Sequence, residues 1–117
     1  ALLRERLAAG RVLSAAELAA AQHGDIVKTA GIVITRQRPG SASGVTFVTL
    51  EDETGHVNLI VWESVAQAQR RPLVESRLLE VEGELQREGL VTHVIARRLT
   101  DRSQLLGELL ARSRDFH

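Results

Sequence analysis

A mainly β domain is what this sequence predicts: five short strands, a short helix between the third and the fourth, and a helix at either end. Three observations carry that expectation. The segments 25–38 and 45–63 are rich in β-branched and apolar residues and are bounded by glycine, proline and serine. Leu79, Val81, Gly83 and Leu85 alternate with Glu80, Glu82 and Glu84, the period of a strand with one buried face and one solvated acidic face. Strong helix formers gather in SAAELAAAQ, SVAQAQRR and QLLGELLAR, so helices flank and interrupt the strands.

Residues 1–24 read as an N-terminal helical linker. Ser14 and Glu17 have the spacing of a capping box, and Gly24 stops the helix they start. DIVKTAGIVITRQR is long for a strand, and Gly31 in its middle marks a bulge or bend, as a curling barrel requires. Residues 39–44 are a loop by composition. Val45 to Glu53 is the second strand, Thr54-Gly55 a turn and His56 to Glu63 the third. Asp52 is placed to accept bonds from turn amides, that of Gly55 among them. SVAQAQRR is a short helix ended by Pro72, with the stems of Arg70 and Arg71 covering the barrel end. Glu88-Gly89 turns the fourth strand into LVTHVIARRL, the fifth. Asp101, with Gln104 three residues on, is the expected N-cap of the last helix. The order fits a five-stranded OB-fold, a Greek-key barrel over residues 25–100, with helix and tail over 101–117. An SH3-like barrel lacks the long bent first strand and the inserted helix.

Composition narrows the function. With 117 residues the chain holds one domain and a modest core. It contains no cysteine, which excludes disulfides, thiolate metal sites and cysteine nucleophiles. No apolar run approaches the roughly 20 residues that cross a bilayer, and no signal-peptide pattern opens the chain. Its start at Ala1 reads as a fragment of something longer. Fifteen basic and fifteen acidic residues balance, which argues against tight non-specific DNA binding. Glu51-Asp52-Glu53 alternate in direction along a strand and do not converge on one metal. His23, His56, His93 and His117 lack metal-ligand spacing, so neither a catalytic nor a metal-binding set is expected.

GIVITRQRPGSASGVTFVTLEDETGHVNLIVW resembles the OB-fold region near the C-terminus of bacterial DnaE-type DNA polymerases. LQREG (85–89), HVIARRL (93–99) and SRDFH (113–117) resemble the error-prone, ImuC-like branch of that family. The resemblance runs from Asp25 onward and is weaker over residues 1–24. It implies a bacterial, cytoplasmic parent that synthesises DNA across lesions with Mg2+ held by palm-domain aspartates. No such cluster is present here, so the fragment is expected to be non-catalytic, with no cofactor and no small-molecule substrate of its own. The anticodon-binding OB domain of a class II tRNA synthetase fits the fold but not RQRPG, TLEDETG and SRDFH together.

Two kinds of partner are expected. For single-stranded template DNA, the groove of an OB-fold would comprise Arg36 and Arg38, Ser41 and Ser43 in the loop, Phe47, Asn58 and Trp62 on strands two and three, and Arg87 and Arg97 at the second wall. Phe47 shares a face with Thr49 and Glu51 in a regular strand, and the core is its favoured destination; Trp62 is better placed for exposure. The Glu80, Glu82, Glu84 stripe would repel DNA. For protein docking, Leu105, Leu106, Leu109 and Leu110 form one side of the last helix, with Arg112 beside them; the resemblance points to ImuA-like and ImuB-like cassette proteins as partners.

Overall fold

The computed structural model describes residues 12–38 and 44–107. Strands β1 (Ile26–Gln37), β2 (Thr46–Asp52), β3 (Gly55–Val61), β4 (Leu78–Glu88) and β5 (Val91–Asp101) close into a barrel in the order β1-β2-β3-β5-β4, with β4 returning to β1. All neighbours are antiparallel except β3 and β5, which run parallel through Asn58–His93, Leu59–Val94 and Ile60–Ile95. That parallel pair requires a crossover, supplied by helices α2 (Glu63–Ala68) and α3 (Arg70–Glu75) together with β4. Closure leaves no free sheet edge. The expected mainly β, five-stranded OB barrel is therefore the architecture observed.

Inward residues alternate as the sequence period demands. Val48 and Leu50 on β2, Leu59 and Val61 on β3, Leu79, Val81 and Leu85 on β4 and Val94 on β5 are all buried. Aliphatic residues fill the core; the sequence holds only three aromatics, Phe47, Trp62 and Phe116.

Each end of the barrel is plugged by a leucine from a helix. Helix α1 (Ala15–Ala20) lies over the end at the β2–β3 turn and buries Leu18; α3 lies over the other and buries Leu73. Ser14 and Glu17 form the capping box: Ser14 Oγ accepts from the Glu17 amide at 3.1 Å, and Glu17 Oε1 accepts from the Ser14 amide at 2.8 Å. The segment before Asp25 thus contributes to the packed core: Leu13 bridges Thr29 in parallel, and Leu18 is only 3% exposed.

Asp52 ties this helix to the hairpin. Its Oδ1 accepts from the amides of Thr54 (2.7 Å) and Gly55 (3.1 Å) and from the Thr54 hydroxyl (2.7 Å), forming the expected Asx-type turn. Its Oδ2 accepts from the Ala15 amide at 2.8 Å, one of the donors a helix start leaves unsatisfied. One carboxylate therefore sets the turn and caps α1. Asp52→Ala is expected to cost about 1–2 kcal/mol, read as a shift in urea midpoint at unchanged slope. Asp52→Asn, which keeps an acceptor toward the turn, is expected to recover part of it.

Four expectations need correction. Pro72 does not end a helix. The chain breaks at Gln69 and restarts, so Pro72 falls in the first turn of α3, where a missing N–H costs nothing. The barrel end is covered by Leu73, while Arg70 and Arg71 are exposed, Arg71 pairing with Glu75 at 3.5 Å. The β1 bulge lies between Val33 and Thr35; Gly31 serves a different need, since a Cβ there would come within 2.8 Å of the Glu51 carbonyl oxygen. The acidic stripe on β4 is only partly solvated, and each carboxylate has a basic neighbour. Glu80 is buried beside Arg102 (3.1 Å), Glu82 lies 3.9 Å from Lys28, and Glu84 lies 3.3 Å from Arg97.

Asp101 is the last residue of β5, and its carboxylate accepts from the Ser103 amide at 2.9 Å, ahead of the helical residues 103–107. Hydrogen bonds from Ser103, side chain first, hold its pKa below the ordinary 3.8. A carboxylate depressed in the folded state adds stability above its unfolded pKa and loses it as pH falls through the folded one. The stability difference between wild type and Asp101→Asn is thus expected to be present at neutral pH, to begin falling near pH 3.8 and to be lost as pH drops through the lower folded value, as urea midpoints across that range will read. Leu105 packs against Val12 and Ala30, and Leu106 is half-buried. Leu109, Leu110 and Arg112 lie outside the described residues.

Candidate nucleic-acid interface

The register of the barrel sets three rows of outward side chains across β1, β2, β3 and β5. One runs Gln37, Phe47, Ile60, Ile95; the next Thr35, Thr49, Asn58, His93; the third Ile32, Glu51, His56. The β1 bulge makes these rows. It leaves Val33 toward the core yet turns Thr35 and Gln37 outward, opposite Thr49 and Phe47.

Phe47 is therefore not in the core. The strand is regular and Val48 and Leu50 take the inward positions, so Phe47 stands outward, 41% exposed. Trp62 caps α2 just past the end of β3 and is 49% exposed. Phe47 shares its row with Ile60 and Ile95, beside the polar row, and Ile32 lies exposed on the far side of that polar row. In that row the Thr49 hydroxyl donates to Asn58 Oδ1 at 3.3 Å, which turns the Asn58 amide nitrogen to use as a donor. His56 Nε2 lies 2.9 Å from Glu51 Oε2 at the hairpin end of the face.

Two of the arginines singled out from the sequence serve the fold. The bulge turns Arg36 toward the barrel end, where its Nε donates to the Leu73 carbonyl at 2.6 Å and its Nη2 to the Ser76 carbonyl, both at the end of α3. Arg87 does the same for α1, its Nη2 donating to the carbonyls of Leu18 (3.1 Å) and Ala19 (3.0 Å). Helix ends leave carbonyls unpartnered, and a cation there also meets the negative end of the helix dipole. Nothing in the local sequence announces this role, because each arginine reaches its helix from more than 30 residues away. Arg97 pairs with Glu84, and Arg38 lies 3.8 Å from Glu63. Ser41 and Ser43 fall outside the described residues.

The structure thus brings Phe47, Asn58 and Trp62 to one face, with Arg38 at its edge and Arg97 following Ile95 on β5. Sequence reasoning placed Thr49 beside Phe47 but missed Ile60, Ile95 and His93; the two β5 residues join the face only through the parallel β3–β5 register. Among the described residues no three His, Asp or Glu side chains come together as a metal site would need, and no helix is long and apolar enough to cross a membrane.

A closed five-stranded barrel in this order, with a helix between the third and fourth strands, defines an OB-fold. The family model described as "OB-fold nucleic acid binding domain" matches residues 27–101, and the chain belongs to that family. Over its whole length it is 61% identical to an error-prone DNA polymerase of Alkalilimnicola ehrlichii and 59% identical to one of Azoarcus sp.. The chain spans about 11% of each of these relatives, so it corresponds to their OB-fold region and not to the whole polymerase. Among solved structures, asparaginyl-tRNA synthetase from Pyrococcus horikoshii superposes with a TM-score of 0.59 at 23% identity, over 76% of this chain and 22% of that one. The hypothetical protein ygiW from E. coli superposes with a TM-score of 0.55 at 13% identity, over 76% and 87%. At these identities both share the fold alone.

Proposed function

We propose that the chain is a non-catalytic domain that holds single-stranded DNA on the outer face of β1, β2, β3 and β5, for a bacterial, cytoplasmic error-prone polymerase engaged in translesion synthesis. The single observation that carries this reading is the outward placement of Phe47 and Trp62 on the barrel's outer face. Bases stack on aromatic side chains whatever their sequence, and each such contact is worth about 1–3 kcal/mol. An exposed Phe beside a row of Thr, Asn and His has no role in the core. The Mg2+ of the parent enzyme has no place in this domain's chemistry; the domain supplies grip on the template and the palm supplies catalysis.

Fluorescence anisotropy of a labelled single-stranded oligonucleotide tests the proposal directly. Binding at about 50 mM salt that weakens at about 200 mM is expected, less steeply than for a protein making many phosphate contacts. No binding at the lower salt contradicts it.

A second reading, docking to ImuA-like or ImuB-like proteins, draws support from another region. Leu90 at the tip of the β4–β5 turn is fully exposed, Val91 is exposed beside it, and with Ala15, Leu18 and Val57 they border a groove of about 360 Å³. Pull-down with each partner, comparing wild type, Leu90→Ser and a chain lacking residues 101–117, separates this groove from the terminal helix. Undiminished capture by both variants excludes both surfaces.

A further inference from the structure

At the α2–α3 end of the barrel a cavity of about 210 Å³ brings together Arg36, Arg38 and Arg70 with Glu63, and Leu73 and Val74 supply an apolar wall. Three guanidinium groups against one carboxylate is a local positive excess in a chain whose net charge is zero. The three are in different states. Arg36 is held by the carbonyls of Leu73 and Ser76, which fixes its charge in place while leaving some of its five N–H donors unused. Arg38 meets Glu63 only at 3.8 Å, both side chains about half exposed or more, a contact worth little in water and easily exchanged. Arg70 is exposed and has no ion-pair or hydrogen-bond partner among the described residues.

The cavity adjoins the aromatic face along three elements. Gln37, opposite Phe47, lies between Arg36 and Arg38; Thr46, at the cavity wall, precedes Phe47; Trp62 precedes Glu63. A strand whose bases stack on Phe47 and Trp62 therefore passes a cluster of guanidinium groups at this end of the face, where planar forks match the oxygens of a phosphate.

We infer that this cavity is a phosphate subsite, taking one phosphate group of the bound strand, either an internal phosphodiester or a terminal phosphomonoester. The inference rests on the proposed single-strand face, and it adds a fixed anchor to an otherwise stacking-driven surface. Glu63 is the restraining group, since its carboxylate occupies Arg38 in the absence of phosphate and repels an incoming one.

The test combines inorganic phosphate with oligonucleotides on the full 117-residue chain. Phosphate is expected to move the amide NMR signals of Thr46, Gln67 and Arg70 in wild type, and not in an Arg38→Gln, Arg70→Gln variant. Arg70→Gln is expected to weaken oligothymidine binding about 3- to 10-fold at low salt and to reduce the log–log salt slope by about 0.7, the value for one single-strand phosphate. Arg70→Lys should restore part of the loss, and Glu63→Gln should tighten binding a few-fold. Adding a 5′-phosphate strengthens wild-type binding if the subsite takes a chain end, and leaves it unchanged if it takes an internal phosphate; the Arg70→Gln loss appears in both cases. Wild-type affinity and slope in both Arg70→Gln and Glu63→Gln overturn the subsite while leaving the stacking face intact. Phosphate shifts in a chain that binds no oligonucleotide overturn the stacking face and leave the subsite standing.

Discussion

Gly83→Ala is expected to destabilise the barrel by about 2–3 kcal/mol, more than any other single methyl group added to its strands. A Cβ at residue 83 would lie 2.1 Å from the carbonyl oxygen of Ile95 and 2.8 Å from its carbonyl carbon. Both are backbone atoms of β5, so no side-chain rotation relieves the clash. The cause is the irregularity of the β4–β5 pairing between Glu82 and Gly83, where β5 gains the residue Arg97 and draws close against β4. The opposing residue, Ala96, is itself small and buried. To admit the methyl group the strands must part, and they belong to the pair that holds the fourth strand in the closed barrel. A loss of that size corresponds to a fall of roughly 10–20 °C in Tm for a domain of this length. Gly89→Ala is the control. It sits in the β4–β5 turn at φ 60° with open space around it, so only the cost of a left-handed backbone applies, about 1 kcal/mol. Thermal unfolding of the two variants side by side checks the ranking.

Phe47→Ala and Trp62→Ala are expected to weaken single-stranded DNA binding about 5- to 150-fold each while lowering stability by less than the ~3–5 kcal/mol of a core aromatic truncation. The separation of the two effects follows from position: both side chains stand outside the core and are about half exposed, so truncating them opens no internal cavity and costs less than a core truncation. Base stacking is the interaction they offer, and it is lost with the ring. Phe47→Tyr, which keeps the ring, should bind within a few-fold of wild type. A variant series in which affinity tracks the ring, and unfolding midpoints do not, separates a binding role from a structural one. Equal affinity across the series places the strand elsewhere on the barrel.

The fold was legible because its signals are local. Alternation from Leu79 to Leu85, the glycine-marked turn at Thr54-Gly55, the Ser14–Glu17 capping box and the turn chemistry of Asp52 all act within a few residues, and the structure contains each of them. What local sequence does not show are contacts that span the chain. Arg36 and Arg87 reach helices far away in sequence, and the partners of Glu80, Glu82 and Glu84 come from β1, β5 and the segment after β5. No local rule pairs such groups. Phe47 departs from the core expectation for a different reason. The alternation of β2 sets Phe47 outward, whereas hydrophobicity alone favours the core, and an exposed aromatic has the same composition as one buried for packing. Pro72 likewise marked a break in the helix, and the break lies three residues before it, at Gln69.

Trp62 is the only tryptophan in the chain, so its emission reports on the proposed face without any label. Titration with single-stranded oligothymidine measures the central claim most directly. The account predicts saturable quenching of that emission, with a duplex of equal length giving little change because its bases are already stacked. Binding seen by anisotropy with Trp62 emission unchanged, or equal quenching by the duplex, contradicts it.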